Sequence, residues 1–466
     1  MPFTTINSVD KVRAGDFMPP GAAVLKGLPA FCRVILTVAP TSDSDIKVEV
    51  WLPMAGWNTK YEAVGNGGWA GAISYPAIAE GLKRGYAVSS TDTGHIGGSG
   101  SFALGHPEKV IDFGYRSEHE MVEKSKRVIA IFYGTTAKFS YWVGCSTGGR
   151  QGLQEIQRYP DDFQGVIAGD PANPRTGQAF EAMWIANAVL RDPASFIPTA
   201  KYPVIHKAVL DACDALDGVK DGVLDDPRKC QFDPSVLTCK TGDGPDCLSA
   251  AQVEAVKKIY TPATNSATGE ILFPSLMPGS ELGWAGMAGG PEPNAILNDH
   301  FKYVVFKEPN WDWKTLNFDS DVDRTRNTDH GTIDATNPMI QAYLVRSKLI
   351  LYHGWADQLV APQSTIKYYE SVLYGIPGVN PTGAMHLYMA PGMGHCGDGD
   401  GPNTFDMLTP LEQWVEKGKA PEEIIASHST GGKVDRTRPL CPYPQVAKYK
   451  GTGSTDEASN FACSAP

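Results

Sequence analysis

Short apolar segments, separated by Gly, Pro, Asn and Asp, dominate the chain between residues 31 and 96. These segments are rich in β-branched and aromatic residues and comprise residues 34–38, 46–51, 61–68 and 86–90. Their composition predicts strands of one sheet. Residues 117–133 instead place apolar side chains at helical spacing among charges, and an apolar strand pattern follows at 139–143. A strand, a helix and a strand in succession predict a parallel sheet.

The pattern changes between residues 174 and 336, where acidic loops rich in Gly and Pro, clustered cysteines and many aromatic residues replace it. It resumes with an apolar segment at 349–352, and strand and helix patterns then continue to about residue 417. We therefore predict a catalytic α/β domain formed by residues 1–173 and 337–466. An inserted lid domain of residues 174–336 interrupts it.

The composition narrows the class of protein. A chain of 466 residues with 42% hydrophobic and 20% charged residues is typical of a globular protein. The formal net charge of -11 and the lack of a long basic run argue against nucleic acid or an anionic membrane as a partner. No apolar stretch approaches the ~18 residues of a membrane span, and the first thirty residues lack the pattern of a signal peptide.

The nine cysteines cluster without the paired spacings of a zinc site, which favours disulfides and an oxidising compartment. We therefore expect a secreted or periplasmic protein whose signal peptide is absent from this sequence. The odd total leaves one cysteine over, and we expect it to be Cys32.

The segment Gly144-Cys145-Ser146-Thr147-Gly148 matches the G-x-S-x-G motif between a predicted strand and a predicted helix. Such a turn needs small residues on both sides, and it projects the serine hydroxyl above the sheet. The next backbone N–H then faces the developing oxyanion. The alternative is a Gly-rich turn that buries an unreactive serine, but the flanking elements favour a nucleophile.

A serine nucleophile needs a histidine base and an acid, and hydrolases of this type order them as Ser, Asp or Glu, and His. Asp357 and His395 each follow a predicted strand after Ser146. Asp170 is the second candidate for the acid, and His353 and His386 are the other candidates for the base. We favour Asp357 and His395.

Cysteines flank both predicted catalytic positions: Cys145 precedes Ser146, and Cys396 follows His395. A disulfide holds its two Cα atoms roughly 4.4–6.8 Å apart, which suits neighbours whose side chains must hydrogen-bond. We predict a Cys145–Cys396 bond that fixes the nucleophile beside the base. Two isolated buried thiols are the alternative.

Two further segments carry candidate chemistry. The loop at residues 65–69 offers the Gly67 and Gly68 amides, which we expect to complete an oxyanion hole with Thr147 N–H. The acidic segment 214–223 suits a hard cation with oxygen ligands, so we predict a structural Ca²⁺ site there. Its expected ligands are the side chains of Asp214, Asp217 and Asp221 and the carbonyls of Val219 and Val223.

Taken together, these motifs resemble the tannase and feruloyl esterase family over nearly the whole chain. The resemblance implies an α/β-hydrolase fold with a large lid, a structural calcium ion and an aromatic-acid pocket. It also implies the bonds Cys213–Cys230, Cys239–Cys247 and Cys441–Cys463. Two departures are the missing early partner of Cys32, which supports a truncated sequence, and the lack of an N-x-S/T sequon, which favours a bacterial origin.

We therefore expect a serine esterase that hydrolyses esters of hydroxycinnamate-, gallate- or terephthalate-like acids, with feruloyl esters preferred. Lid aromatic residues, among them Trp284, Phe301 and Phe306, are expected to bind the ring. The alternative is a calcium-dependent extracellular binding protein on an inactive hydrolase scaffold. A metal hydrolase is a weaker option, because no His pair lies at i, i+4 near a carboxylate.

Overall fold

The computed structural model describes residues 1–375 and 381–466. The strands are β1 (Thr4–Val12), β2 (Gly15–Phe17), β3 (Leu25–Leu28), β4 (Phe31–Val38), β5 (Ile46–Pro53), β6 (Lys60–Val64), β7 (Ala87–Thr91), β8 (Phe139–Cys145), β9 (Gly165–Gly169), β10 (Ala263–Thr264), β11 (Ile271–Phe273), β12 (Lys348–Gly354), β13 (Met385–Ala390), β14 (Met393–Gly394), β15 (Gly397–Gly399), β16 (Ile424–Thr430), β17 (Lys433–Leu440), β18 (Val446–Tyr449) and β19 (Phe461–Ser464).

The α-helices are α1 (Tyr75–Lys83), α2 (Pro107–Ile111), α3 (Ser117–Tyr133), α4 (Thr147–Arg158), α5 (Arg175–Val189), α6 (Tyr202–Cys213), α7 (Ala250–Ile259), α8 (Ala285–Ala288), α9 (Ala295–Asp299), α10 (Asp321–Asp329), α11 (Gln341–Leu344), α12 (Gln363–Gly375) and α13 (Leu408–Lys417). Short 3-10 and π-helical turns, such as the π-turn His300–Val305, lie between them. No helix within residues 1–375 and 381–466 has the length and apolar character needed to cross a membrane.

The chain divides into two compact units. Unit 1 comprises Met1–Ala168 and Asp329–Leu349, and unit 2 comprises Gly169–Thr328 and Ile350–Pro466. Residues 350–466 thus group with residues 169–328, which hold most of the inserted stretch, and not with residues 1–168. The boundaries of the expected catalytic and lid domains stay a prediction.

Unit 1 contains a mixed sheet with the strand order β1-β4-β5-β7-β6-β8-β9. Strands β1, β4, β5 and β7 pair antiparallel, whereas β6 runs parallel to both β7 and β8. The parallel part is the strand-helix-strand region in which the sequence predicts it. Helix α3 has the predicted bounds, buries Met121, Val122, Val128 and Ile129 along one face, and ends at Gly134 with φ 72°.

Unit 2 contains β13 and most of β12, which are neighbours in the strand order, together with the helices of the inserted stretch. An apolar core of α5, α7 and the surrounding turns, with Ile185, Val256 and Phe301 among its members, holds that stretch together. The bonds Cys213–Cys230, Cys239–Cys247 and Cys441–Cys463 confirm the pairings that the resemblance implies. Cys32, in unit 1, is a buried free cysteine as expected.

Candidate active site

Ser146 lies on the turn between β8 and α4, directly before the first residue of the helix. Its φ of 63° and ψ of -123° are outside the regions that residues with a side chain commonly adopt. Strained backbone of this kind costs about 1–3 kcal/mol and is concentrated at functional sites. The geometry is therefore that of a serine held on a sharp strand-to-helix turn, as the motif predicts.

The glycines around Ser146 are required by close backbone approach. A Cβ on Gly144 would lie 2.4 Å from the carbonyl oxygen of Gly148. A Cβ on Gly65 would lie 2.5 Å from the Cα of Gly148, and real Cβ atoms essentially never come so near. The backbone at Gly148, in the first turn of α4, can therefore lie this close to Gly65 and to Gly144 only because neither of these residues has a side chain.

The loop at residues 65–69 is fixed to the start of α4 by hydrogen bonds. Thr147 Oγ1 donates to the Gly68 carbonyl over 2.9 Å, and the Asn66 N–H donates to Gln151 Oε1 over 2.9 Å. Gly67 is exposed, and Thr147 is fully buried. These contacts hold the predicted oxyanion loop beside the turn that carries Ser146, while the oxyanion role of Thr147, Gly67 and Gly68 stays a prediction.

The buried carboxyl group of Glu118 supports this loop through Gln151. Gln151 Nε2 donates to Glu118 Oε1, and the same nitrogen donates to Asn66 Oδ1 over 3.2 Å. Burial raises the pKa of Glu118 to about 7, although Arg150 nearby opposes the shift. The sequence gives no direct signal for this network, because Glu118 looks like one of several acids on an amphipathic helix.

Asp357 and His395 form a hydrogen-bonded pair in unit 2. His395 Nδ1 lies 2.7 Å from Asp357 Oδ2. The other carboxylate oxygen, Oδ1, accepts the N–H groups of Leu359 and Val360 over 2.8 and 2.9 Å. The carboxylate is thereby fixed in place and oriented toward the imidazole.

Two of the other candidates also join this network. His353 Nε2 lies 3.1 Å from Asp357 Oδ2, and His353 Nδ1 lies 2.7 Å from Thr365 Oγ1. Asp170 accepts the N–H groups of Gly354 over 2.8 Å and of Cys396 over 3.2 Å. Asp170 therefore fixes the backbone on both sides of the pair, next to His395 and three residues before Asp357. His353 is fully buried, and its Nε2 contacts Asp357. His395 therefore remains the better candidate for the base.

The remaining candidate histidine lies elsewhere. His386 Nδ1 is 3.1 Å from the Tyr388 hydroxyl, and its ring packs on Trp414 with a centroid distance of 4.5 Å. It occupies the start of β13, as the sequence suggests for a residue that begins a strand.

The charges of the pair stabilise each other. Burial lowers the pKa of His395, but the carboxylate of Asp357 outweighs it and raises that pKa from 6.5 to about 9. For Asp357, burial raises the pKa, and the two histidines reverse the shift and hold it well below its usual range. Burial also raises the pKa of Asp170 to about 6, with His353 opposing the shift. The pair is therefore organised to stabilise an imidazolium at His395.

Ser146 and Cys145 belong to unit 1, whereas Asp357, His395 and Cys396 belong to unit 2. Each half of the predicted site has the local geometry that its chemistry requires. The assembly of the two halves, including the Cys145–Cys396 bond, stays a prediction.

The predicted calcium loop is an acidic turn within unit 2. Asp214 accepts the N–H groups of Asp221 and Gly222, each over 3.1 Å at Oδ1, and Asp221 pairs with the Arg438 guanidinium. Burial raises the pKa of Asp225 to about 7, and the neighbouring Asp217 and Asp221 add to the shift. The loop thus concentrates carboxylates whose repulsion a cation would relieve. Asp225 also belongs to that set, although it lies outside the acidic segment 214–223.

The three lid aromatic residues occupy different environments. Phe301 and Trp284 are buried in the core of unit 2, where Trp284 packs against Tyr260 with a ring-centroid distance of 5.5 Å. Phe306 is half-buried and stacks on Trp311 at 4.8 Å. Their contact with a substrate ring stays a prediction.

Comparison with known proteins places these features in a family. A family model described as tannase and feruloyl esterase matches residues 32–464. An uncharacterized esterase of Xanthomonas campestris pv. campestris is 38% identical, over 99% of this chain and 89% of that protein. The mono(2-hydroxyethyl) terephthalate hydrolase of Piscinibacter sakaiensis is 32% identical, over 98% of this chain and 89% of that protein.

A solved structure extends the likeness to the fold. The crystal structure of feruloyl esterase B from Aspergillus oryzae matches with a TM-score of 0.94 at 30% identity, over 100% of this chain and 97% of that one. The protein therefore has the α/β-hydrolase fold with an inserted lid and is a carboxylic ester hydrolase. It belongs to the tannase and feruloyl esterase family.

Proposed function

We propose that this protein is a serine esterase that hydrolyses esters of small aromatic acids through an acyl-enzyme intermediate. The observation that carries the proposal is the 2.7 Å contact between His395 Nδ1 and Asp357 Oδ2 in a chain that also holds Ser146 on a strained turn. A serine at its ordinary pKa is a poor nucleophile and needs such a base. An inactive binding scaffold has no comparable support, since neither geometry is needed for binding alone.

In the first half-reaction, His395 takes the hydroxyl proton of Ser146, and Ser146 Oγ attacks the ester carbonyl carbon. Nδ1 of the imidazole is engaged by Asp357, so the proton moves to Nε2. The oxyanion is stabilised by Thr147 N–H and the amides of Gly67 and Gly68. Collapse of the tetrahedral intermediate breaks the bond to the alcohol, which leaves with the proton from His395.

In the second half-reaction, water replaces the alcohol. His395 removes a proton from the water, and the resulting hydroxide attacks the acyl carbonyl of the Ser146 ester. The second tetrahedral intermediate collapses, the acid is released and Ser146 recovers its proton. Asp357 keeps its charge throughout and stabilises the imidazolium in both steps.

The substrate class is inferred from the relatives and from the lid. The compared proteins are named for feruloyl and terephthalate esters, both of which carry an aromatic acid. The inserted stretch also carries partly exposed aromatic side chains, among them Phe306 and Trp311, and such side chains suit a planar ring. We prefer feruloyl esters, and a turnover panel of methyl ferulate, methyl gallate and mono(2-hydroxyethyl) terephthalate decides among them. The highest kcat/KM should be for ferulate, and a clear gallate or terephthalate preference would contradict this choice.

We also propose that the protein is exported. The bonds Cys213–Cys230, Cys239–Cys247 and Cys441–Cys463 support this location, because disulfides persist in oxidising compartments. Fractionation of the native host should find the esterase activity in the periplasm or medium, and activity confined to the cytoplasm would contradict the proposal.

We propose Ca²⁺ as a structural ion held by the acidic loop. Carboxylate oxygens of Asp214, Asp217 and Asp221 would bind it, with carbonyls of Val219 and Val223, and Asp225 is a further donor. The ion would neutralise the loop and take no part in ester cleavage. Chelation should lower the melting temperature and leave low-temperature activity largely intact.

Asp217→Ala should reproduce the loss of melting temperature and abolish the response to added Ca²⁺. The matched control is Asp233→Ala, which removes an exposed carboxylate of the same stretch that only caps a short turn. A wild-type melting curve that is identical with and without chelator would contradict the calcium proposal.

A further inference from the structure

Three side chains that carry potential metal ligands lie together in unit 1 and take no part in the reaction proposed above. His119 near the start of α3, Glu155 in the last turn of α4 and Asp162 before β9 place one ligand atom each within 4.8 Å of one another. One imidazole and two carboxylates form a donor set that suits divalent transition metals.

Glu155 is the unusual member of this group. Its side chain is only 1% exposed, and neither carboxylate oxygen accepts a hydrogen bond from any donor in the described part of the chain. Burying a carboxylate without a partner is costly, so the group must be neutralised by a proton or by a cation. Burial raises the pKa of Glu155 well above its usual range, and two acids add to the shift: Asp162, whose carboxyl group lies within hydrogen-bonding distance, and Glu118.

The other two members are already oriented toward each other. His119 Nδ1 lies 2.7 Å from Asp162 Oδ2, and the His119 ring stacks on Tyr159 with a centroid distance of 3.7 Å. Lys126 Nζ lies 3.3 Å from the other oxygen, Asp162 Oδ1, and donates to the Asp162 carbonyl over 2.6 Å. Asp162 thus has two cationic or hydrogen-bonding partners, whereas neither oxygen of Glu155 accepts a hydrogen bond from an N–H or O–H donor of the described residues.

We propose that His119, Glu155 and Asp162 bind a divalent transition-metal ion, with Zn²⁺ as the ion to test. Tetrahedral ligands at ~2.0–2.1 Å from zinc lie about 3.3 Å apart. The present contact of 2.7 Å between His119 and Asp162 must therefore open by about 0.6 Å. The His119 side chain is 28% exposed, so the ion has access from solvent and water can complete the coordination.

The ion would have a structural role. It would join α3 to the last turn of α4, the helix whose first turn follows Ser146. Because Ser146, Asp357 and His395 carry the proposed reaction, hydrolysis does not require this ion, and the two proposals can fail independently.

The test is zinc binding to the untagged chain of residues 1–466, measured by isothermal titration and by metal content after dialysis. We expect one saturable site. Glu155→Gln should weaken binding by more than about tenfold, because losing only a hydrogen-bond partner of a metal ligand already costs about 10–100-fold. Gln has the shape of protonated Glu155 and is neutral. The variant should therefore fold if Glu155 is protonated in the metal-free protein.

His119→Gln is a second test variant, and His428→Gln is its matched control. His428 Nδ1 also lies 2.7 Å from a carboxylate, Asp435 Oδ1, but on an exposed hairpin and outside the clusters of three metal-binding groups found in the described residues. His119→Gln should lose the site and His428→Gln should keep it. No saturable binding to the wild type, or equal affinity in all variants, would overturn the proposal. If Glu155→Gln does not fold, zinc binding to His119→Gln still tests the proposal, because His119 is partly exposed and its replacement should be tolerated.

Discussion

Replacing Asp357 with Asn removes the charge that supports the proposed base while keeping the shape of the side chain. The pKa of His395 lies at about 9 against an ordinary 6.5, and this difference reflects the net stabilisation of its imidazolium. At 1.36 kcal/mol per unit, this is on the order of 3 kcal/mol, or about 10²–10³ in rate. Burial opposes the shift, so the contribution of Asp357 alone is larger.

An Asn at this position can also hold the wrong imidazole tautomer, which brings the expected loss of kcat to as much as about 10⁴. The assay is hydrolysis of a chromogenic aryl ester across pH. Wild-type kcat/KM should rise with pH toward about 9, because His395 must lose its proton to act as a base. In Asp357→Asn, the midpoint of this rise should shift to lower pH.

Asp435→Asn is the matched control, since Asp435 also lies 2.7 Å from a histidine but on an exposed hairpin. It should leave kcat and its pH dependence unchanged. An Asp357→Asn variant with kcat within about threefold of the wild type, or with the same pH midpoint, would refute the role assigned to Asp357.

Three further changes test other parts of the structure. His353→Gln should lower kcat about 10–100-fold, because His353 contacts Asp357 and only positions it. His395→Gln should lower kcat more. A larger loss in His353→Gln would show that His353, and not His395, is the base. Burial lowers the pKa of His206, but Asp400 and Glu281 outweigh it and raise that pKa to about 9. The charged His206 therefore stabilises the folded protein fully below pH 6.5, and this contribution is lost as pH rises through about 9. His206→Gln should therefore lower the melting temperature at pH 6 much more than at pH 9.5, and an equal effect at both pH values would contradict this. Thiol titration of the unfolded, unreduced chain should find one thiol, whereas three would show that Cys145 and Cys396 are unbonded, and replacing both with Ala should sharply reduce turnover of a folded protein.

Elements with strong periodicity could be predicted from the sequence. Helix α3 has the predicted bounds, because helical spacing of its apolar residues coincides with its buried face. Strand β1 could not be predicted, since it is an edge strand with mostly exposed side chains and lacks an alternating apolar pattern. The β16–β17 hairpin was also missed, although its turn residues Gly431 and Gly432, with φ 59° and 80°, are a usable signal.

The sequence predicts which strand ends carry the candidate catalytic residues, but not which side chains contact each other. Chain order and the G-x-S-x-G motif select Ser146, Asp357 and His395, but they leave Asp170 and His353 as competing candidates. The structure shows that Asp170 and His353 both support the Asp357–His395 pair. Which side chain contacts which depends on loop path and rotamer, and neither is encoded in local sequence pattern.

Ser146 is the proposed nucleophile, and covalent capture of its hydroxyl group is the decisive experiment. The enzyme is treated with an aryl phosphonate, and the product is analysed by intact mass and peptide mapping. The control variant, Ser140→Ala, removes a serine of β8, the strand that precedes Ser146. We predict one adduct per chain, located on Ser146, together with loss of esterase activity in the wild type and in Ser140→Ala. An active enzyme that forms no adduct, or forms it on another residue, would contradict the account.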